Sequence, residues 1–209
     1  RQCQINYSCP VNKGPTTFTG VVNIPAGNLP VNNAIVYIPS GAVPPAAASG
    51  ASCDRCESAV PADAAASTTT DINGKFTLSY VPSGKDIPVV ISVGKWRRVV
   101  TIPSVADCTT TTLPMDQTRL PRNQSEGHIP RIAMVTGGAD ALECLLRKLG
   151  LDDSEFTPEN GPGRINLFAG RDGGNKFTAD LNGGAVFPGA KALWDDAFKL
   201  KNYDLILMA

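Results

Sequence analysis

Cys53-Asp54-Arg55-Cys56 is the tightest spacing of reactive side chains in the chain, and two thiols that close can cycle redox equivalents or hold a metal. Redox use needs the first thiol at a helix N-terminus in a strand–helix–strand setting, which the surrounding residues do not supply. Zinc needs a second ligand pair, and the sole histidine, His128, is distant from any cysteine. Haem attachment would require His directly after Cys56, where Glu57 stands. A local Cys53–Cys56 disulfide is the plainer reading. Of the other four cysteines, Cys3 or Cys9 is expected to tie the N-terminal arm to Cys108. Cys144 falls in a helical pattern and reads as a buried thiol.

Histidine chemistry would have to use His128, which sits between Gly127 and Ile129 in a polar stretch that cannot preorganise a base. Gly137-Gly138, between an apolar strand and a helical pattern, could offer backbone N–H groups to an anion; it lacks the spaced glycines of a dinucleotide fingerprint and reads first as a tight turn. Asp71 and Asn73, and Asp172, Asn175 and Asp180, carry oxygens suited to calcium, but Asx turns account for them equally. Trp96-Arg97-Arg98 could contact a sugar or a protein partner, with Tyr80 as a second stacking ring. Asn6-Tyr7-Ser8 and Asn123-Gln124-Ser125 fit the N-glycosylation pattern, and the threonine runs 68–70 and 109–112 could carry O-linked sugar. No catalytic, cofactor-binding or metal-ligating set is assigned.

The elements that must position these residues fall into two halves. Thr16 to Ile24 and Ala34 to Ile38 alternate or run apolar as strands. Residues 41–66 are low in complexity and read as a long exposed loop. Ser67 to Val93 predicts strand, Asp71–Gly74 turn, strand with Phe76, Leu78 and Tyr80 on one face, turn at Pro82-Ser83-Gly84, and strand, that is, an antiparallel hairpin feeding a third strand. Lys95 to Ile102 and Thr109 to Leu113 complete an antiparallel Greek-key β-sandwich over residues 16–115, after an arm at 1–15. The Gly20-Val21-Val22 strand, Asn32–Tyr37, Thr70–Phe76 (TDINGKF) and Val81–Gly84 (VPSG) resemble the carboxypeptidase regulatory-like family, which implies a transthyretin-like sandwich serving as an accessory module without catalytic residues. Residues 41–66 depart from that family's compact pattern as an insertion.

A polar, proline-broken stretch at 116–130 predicts the domain boundary. Beyond it, 131–209 reads strand (Arg131–Thr136), helix (apolar at Ala141, Leu142, Leu145, Leu146 and Leu149, stopped by Gly150), strand (Arg164–Ala169), glycine-rich loop, helix (Ala190, Leu193, Trp194, Ala197, Phe198) and strand (Tyr203–Ala209). This is a partial three-stranded parallel α/β segment, and its Tyr203–Leu207 strand is similar to those of flavodoxin-like domains of the class I glutamine-amidotransferase-like group. In that resemblance a nucleophile is expected just past such a strand, and the chain has none there; it reads as incomplete.

Charge bounds the partners. Nineteen basic and nineteen acidic side chains balance to zero, which leaves no electrostatic footprint for nucleic acid or anionic membrane. No apolar run approaches the ~20 residues that span a bilayer. The first residue is Arg1 and no signal peptide is visible, as in a processed or partial chain. Six cysteines favour an oxidising compartment. The expectation is a secreted or cell-surface, non-enzymatic structural or adhesive protein, a subunit of an extracellular assembly or filament, pairing through an open sheet edge near Leu205–Ala209. Two alternatives stand beside it: the N-terminal part of a hydrolase or amidotransferase-like enzyme whose catalytic residues lie past residue 209, and a carbohydrate-binding module using Trp96 and Tyr80.

Overall fold

A computed structural model of the chain describes residues 5–52, 60–140 and 142–209. Cys3, Cys53 and Cys56 lie outside the described residues, and so does the local Cys53–Cys56 pairing. The chain divides into two compact units, residues 5–46 with 60–121 and residues 47–52 with 122–209.

The first unit is two sheets sharing one core. Strands β1 (Thr17–Val21), β4 (Lys75–Ser79) and β7 (Thr110–Thr112) form one sheet in the order β4-β1-β7; β2 (Ile35–Pro39), β3 (Ala64–Thr69), β5 (Gly84–Val93) and β6 (Trp96–Val105) form the other in the order β3-β2-β5-β6. Phe18, Phe76 and Leu78 come from the first sheet and Val36, Ile38, Val89 and Ile91 from the second, and all are buried in one cluster. Alternation explains the burial: in β4 Phe76 and Leu78 point inward while Lys75 and Thr77 face water.

The expected hairpin is corrected. Asp71 closes the turn, its Oδ1 accepting from Asn73 N and Lys75 N at 2.8 Å each. Yet β3 pairs with β2 and β4 pairs with β1, so the chain changes sheets at this turn and again before β5. Alternation sets which face of a strand is buried; it is silent about which strand lies beside it. One pairing is also parallel, Thr17–Thr19 of β1 against Thr110–Thr112 of β7.

Two other expectations change. The division between the units falls after Pro121, and the stretch from 116 up to it packs on the sandwich: α1 (Met115–Thr118) runs into it, Thr118 Oγ1 donates to Val21 O at 2.6 Å, and Leu120 is buried in the sandwich core with its N–H donated to Asn23 O. The stretch 41–66 is likewise no simple loop, since β3 starts at Ala64 and residues 47–52 belong to the second unit. There Gly50 N donates to Asp204 Oδ1 (2.8 Å), Ala51 N to Lys201 O (2.8 Å), and Arg164 reaches Ser49 Oγ (2.8 Å). A Cβ on Gly50 would stand 2.5 Å from Lys201 O, so glycine is what lets this backbone lie so close.

The second unit is built on three parallel strands, β8 (Ile132–Val135), β9 (Ile165–Phe168) and β10 (Leu205–Met208), in the order β10-β8-β9. β8 and β9 are buried throughout, as strands covered on both faces must be. Ala190, Leu193 and Tyr203 pack with Ala133, Val135 and Phe168. The helix expected after Pro188 is two short ones, α3 (Lys191–Trp194) and α4 (Ala197–Lys201); Asp196 breaks the run and caps the second, its carboxylate accepting from Phe198 N and Lys199 N. Phe198 is consequently exposed instead of sharing the buried face. The first helix shrinks to α2 (Glu143–Lys148), where Leu146 is buried and Leu145 is not.

Candidate functional site

From β8 the chain goes to β9 on one side and then to β10 on the other, so strand order switches beside β8. In open parallel sheets, that switch opens a crevice at the carboxyl ends of the strands. Here a depression of about 460 Å³ lies there, lined by Gly137, Gly138, Ala139, Arg171, Asp172 and Ala209. Thr136, fully buried, directly follows β8 and binds the loop after β9: its Oγ1 donates to Gly174 O at 2.7 Å and accepts from Gly170 N at 3.2 Å. The glycines make the crowding possible. A Cβ on Gly170 would lie 2.0 Å from Thr136 O, on Gly173 2.6 Å from Gly137 N, and on Gly137 2.6 Å from the Ala209 carbonyl carbon.

What this crevice can do chemically is limited. Arg171 and Asp172 are both highly exposed and lie 3.6 Å apart, so the cation lining the crevice already has a carboxylate beside it. Helix α2 starts only at Glu143, so Gly137-Gly138 do not open a helix onto an anion. Thr136 Oγ1 is held by the β9 loop and is no free nucleophile. Among the described residues no group of three or more His, Cys, Asp or Glu could hold a metal. His128 is half-buried within 122–130.

Cys144 corrects its expectation, being a free and exposed thiol. It stands on a cavity of about 170 Å³ walled by Phe156, Leu167, Phe177, Leu181 and Phe187, with Phe177 and Phe187 edge to face at 4.7 Å.

The Trp96-Arg97-Arg98 cluster is engaged locally. The Trp96 ring packs against the sandwich core and its Nε1 donates to Pro121 O at 3.3 Å. Arg97 donates to Pro44 O at 2.8 Å, and Arg98 to Asp116 O and Arg119 O. Tyr80 differs: it is 49% exposed and its ring meets that of Tyr7, with centroids 5.7 Å apart and planes at 30°. The sequence pattern pointed to Tyr80 but had no signal for Tyr7. Cys9 and Cys108 are joined by a disulfide, which places the arm beside this pair.

The glycosylation motifs differ in how free their amides are. Asn123 accepts at Oδ1 from Ser125 N and Ser125 Oγ, and its Nδ2 donates to Asp152 Oδ2. Asn6 closes a smaller turn, accepting from Ser8 N at 2.9 Å, and its Nδ2 lies 3.9 Å from Cys108 Sγ. Sequence reading also missed two polar networks. Buried Glu155 accepts from Gln124 N, Gln124 Nε2 and Arg164 N. Tyr203 donates to Asn166 Oδ1 at 3.1 Å beneath Arg131.

No family model matches the chain, and no curated protein does. It is similar to chains of two type II cohesin–X-dockerin complexes from Acetivibrio cellulolyticus, an N-terminal interface mutant (16% identity, TM-score 0.32, 66% of this chain and 85% of that one) and a C-terminal interface mutant (17%, 0.33, 65% and 86%). It is also similar to a 9R-lipoxygenase from Cyanothece PCC8801 at 16% identity and TM-score 0.22, over 54% of this chain and 19% of that one. With every TM-score below one half, none of these likenesses bears on what the chain does.

Proposed function

We propose that this chain is a secreted or cell-surface structural or adhesive protein, and that its second unit assembles with a protein partner or further copies of itself by adding a strand to β10. One observation carries the reading. β10 pairs with β8 on one side and has no ladder neighbour on the other among the described residues, while Leu205 is 44% and Met208 66% exposed. An edge of this kind presents a row of free N–H and C=O groups with apolar side chains, which is a template for another strand. The Cys9–Cys108 bond supports an oxidising compartment. No helix among the described residues is long and apolar enough to cross a membrane.

In this reading the first unit is a transthyretin-like, Greek-key module of the carboxypeptidase regulatory-like kind, supported by its three- and four-stranded sheets. The second is flavodoxin-like, supported by its parallel order β10-β8-β9. Light scattering on the purified chain at rising concentration tests the assembly. Oligomers are expected for the unaltered chain and monomers for Leu205→Lys and Met208→Lys, both at exposed positions. A strictly monomeric unaltered chain at high micromolar concentration overturns the reading.

The crevice at the strand-order switch favours a second reading, a hydrolase or amidotransferase-like protein with its reacting groups outside this crevice. Turnover of an ester, amide or glycoside by the native protein would support it; an inert native protein would remove it.

A further inference from the structure

We infer that Tyr7 and Tyr80 form a stacking platform for a neutral saccharide on the first unit. The site is independent of the β10 edge. Tyr7 is 73% and Tyr80 49% exposed, and their ring centroids lie 5.7 Å apart with the ring planes tilted by 30°. The electron-rich faces of such rings attract the weakly positive C–H groups on one side of a pyranose. Among the described residues neither phenolic hydroxyl makes a hydrogen bond, so each is available to a sugar hydroxyl. The segments carrying the rings, Ile5–Pro10 and Phe76–Ser83, contain no charged side chain, which selects a neutral sugar over an acidic one.

The backbone supplies the second observation. Tyr80 has φ +58°, a left-handed conformation that is strained for a bulky side chain and easy for glycine. Local folding therefore does not explain a tyrosine here. The next residue is the anchored one: Val81 is fully buried and its N–H donates to Thr16 O at 3.0 Å. Tyr7 is held opposite by the arm, through the Asn6–Ser8 turn and the Cys9–Cys108 cross-link, with Cys108 N donating to Thr16 Oγ1 at 2.9 Å. The residues beside both rings are thus tied to Thr16, just before β1: Val81 directly, and the arm through Cys108 and its disulfide. An apolar peptide would call for a groove; two open rings with free hydroxyls, on segments that carry no charge, fit a sugar.

The test titrates the oxidised full chain with neutral oligosaccharides of β-linked glucose, N-acetylglucosamine and mannose, following the tyrosine ring resonances by NMR. Saturable shifts confined to Tyr7 and Tyr80 are expected with at least one of them. Tyr7→Ala and Tyr80→Ala should each weaken that binding about tenfold, the scale of losing one central aromatic contact. Tyr80→Gly should weaken it as much while leaving Tm unchanged or higher, because the strain is relieved; this separates lost binding from lost folding. The inference is overturned if no saccharide moves either ring at millimolar concentration, if binding survives in both alanine variants, or if Tyr80→Gly lowers Tm. A protein partner captured by the two rings in place of any saccharide also overturns it.

Discussion

At the scale of single residues, the second unit is organised by polar side chains buried in satisfied networks. Tyr203 is 4% exposed, donates to Asn166 Oδ1, and lies under the Arg131 guanidinium, 5.0 Å from the ring centroid. Asn166 in turn donates to Thr157 O at 3.0 Å, so the phenol anchors the bottom of the sheet to the segment before β9. Burial pushes the Tyr203 phenol up to about 12 from its ordinary 10, against the opposing pull of Arg131, because the phenolate would lose its hydration. Between those two values the folded chain keeps a proton that the unfolded chain has released. Stability from this group is therefore complete below pH 10 and falls as pH rises towards 12, by roughly 2 kcal/mol in all. Tyr203→Phe removes the titration along with one hydrogen bond, worth about 1 kcal/mol at neutral pH. Denaturation midpoints measured against pH should converge and then cross for the two chains as pH passes from 10 to 12; curves that stay parallel would show that the phenol is not shielded from water.

Elements show where periodicity informs and where it stops. The inward faces of β4 and β5 are readable from Phe76, Leu78, Val89 and Ile91, because each strand must bury one side against a core. Their neighbours are not readable. β3 and β4 follow each other across a turn whose chemistry suits a hairpin, yet they join different sheets, since closing a sandwich between two layers buries more apolar surface than a flat meander. The same limit applies to the excursion at 47–52: small residues look like a solvated loop, and only Gly50 lying against Lys201 reveals a packed one. In α3 and α4 the apolar spacing from Ala190 to Phe198 fits one continuous helix, but Asp195-Asp196 overrides it. An aspartate that can accept from two N–H groups at a fresh helix start gains more there than in mid-helix. Asp196→Ala should therefore destabilise the second unit by about 1 kcal/mol, the usual cost of a lost N-cap, with Asp196→Asn or Asp196→Ser retaining most of it. Equal loss in all three variants, measured by chemical denaturation, would mean that the carboxylate and not the cap matters. The Thr136 loop of the candidate crevice was the least legible feature of all, because its shape depends on backbone approaches at Gly137, Gly170 and Gly173 that leave no side-chain pattern.

For the molecule as a whole, the chain passes between its two units three times, leaving the sandwich before residue 47, returning by residue 60 and leaving again after residue 121. Each unit nevertheless has its own buried cluster, one around Phe18, Ile38 and Ile91 and one around Val135, Phe168 and Leu193. Separate cores predict separate cooperative transitions. The Cys9–Cys108 bond offers a way to move one without the other, because it closes a 99-residue separation and both of its cysteines belong to the sandwich. A cross-link over a loop of that size limits the unfolded chain and typically contributes about 2–4 kcal/mol. Reduction, or Cys108→Ser, should then lower the melting temperature of the sandwich by about 10 °C or more while the parallel-sheet unit melts where it did before. Calorimetry with and without reductant distinguishes the cases. Two endotherms of which one shifts would establish independent units; a single endotherm that shifts as one would show that the shuttling of the chain at 47–52 has fused the two cores into one cooperative body, and the assembly edge at β10 would then have to be considered together with the sandwich instead of apart from it.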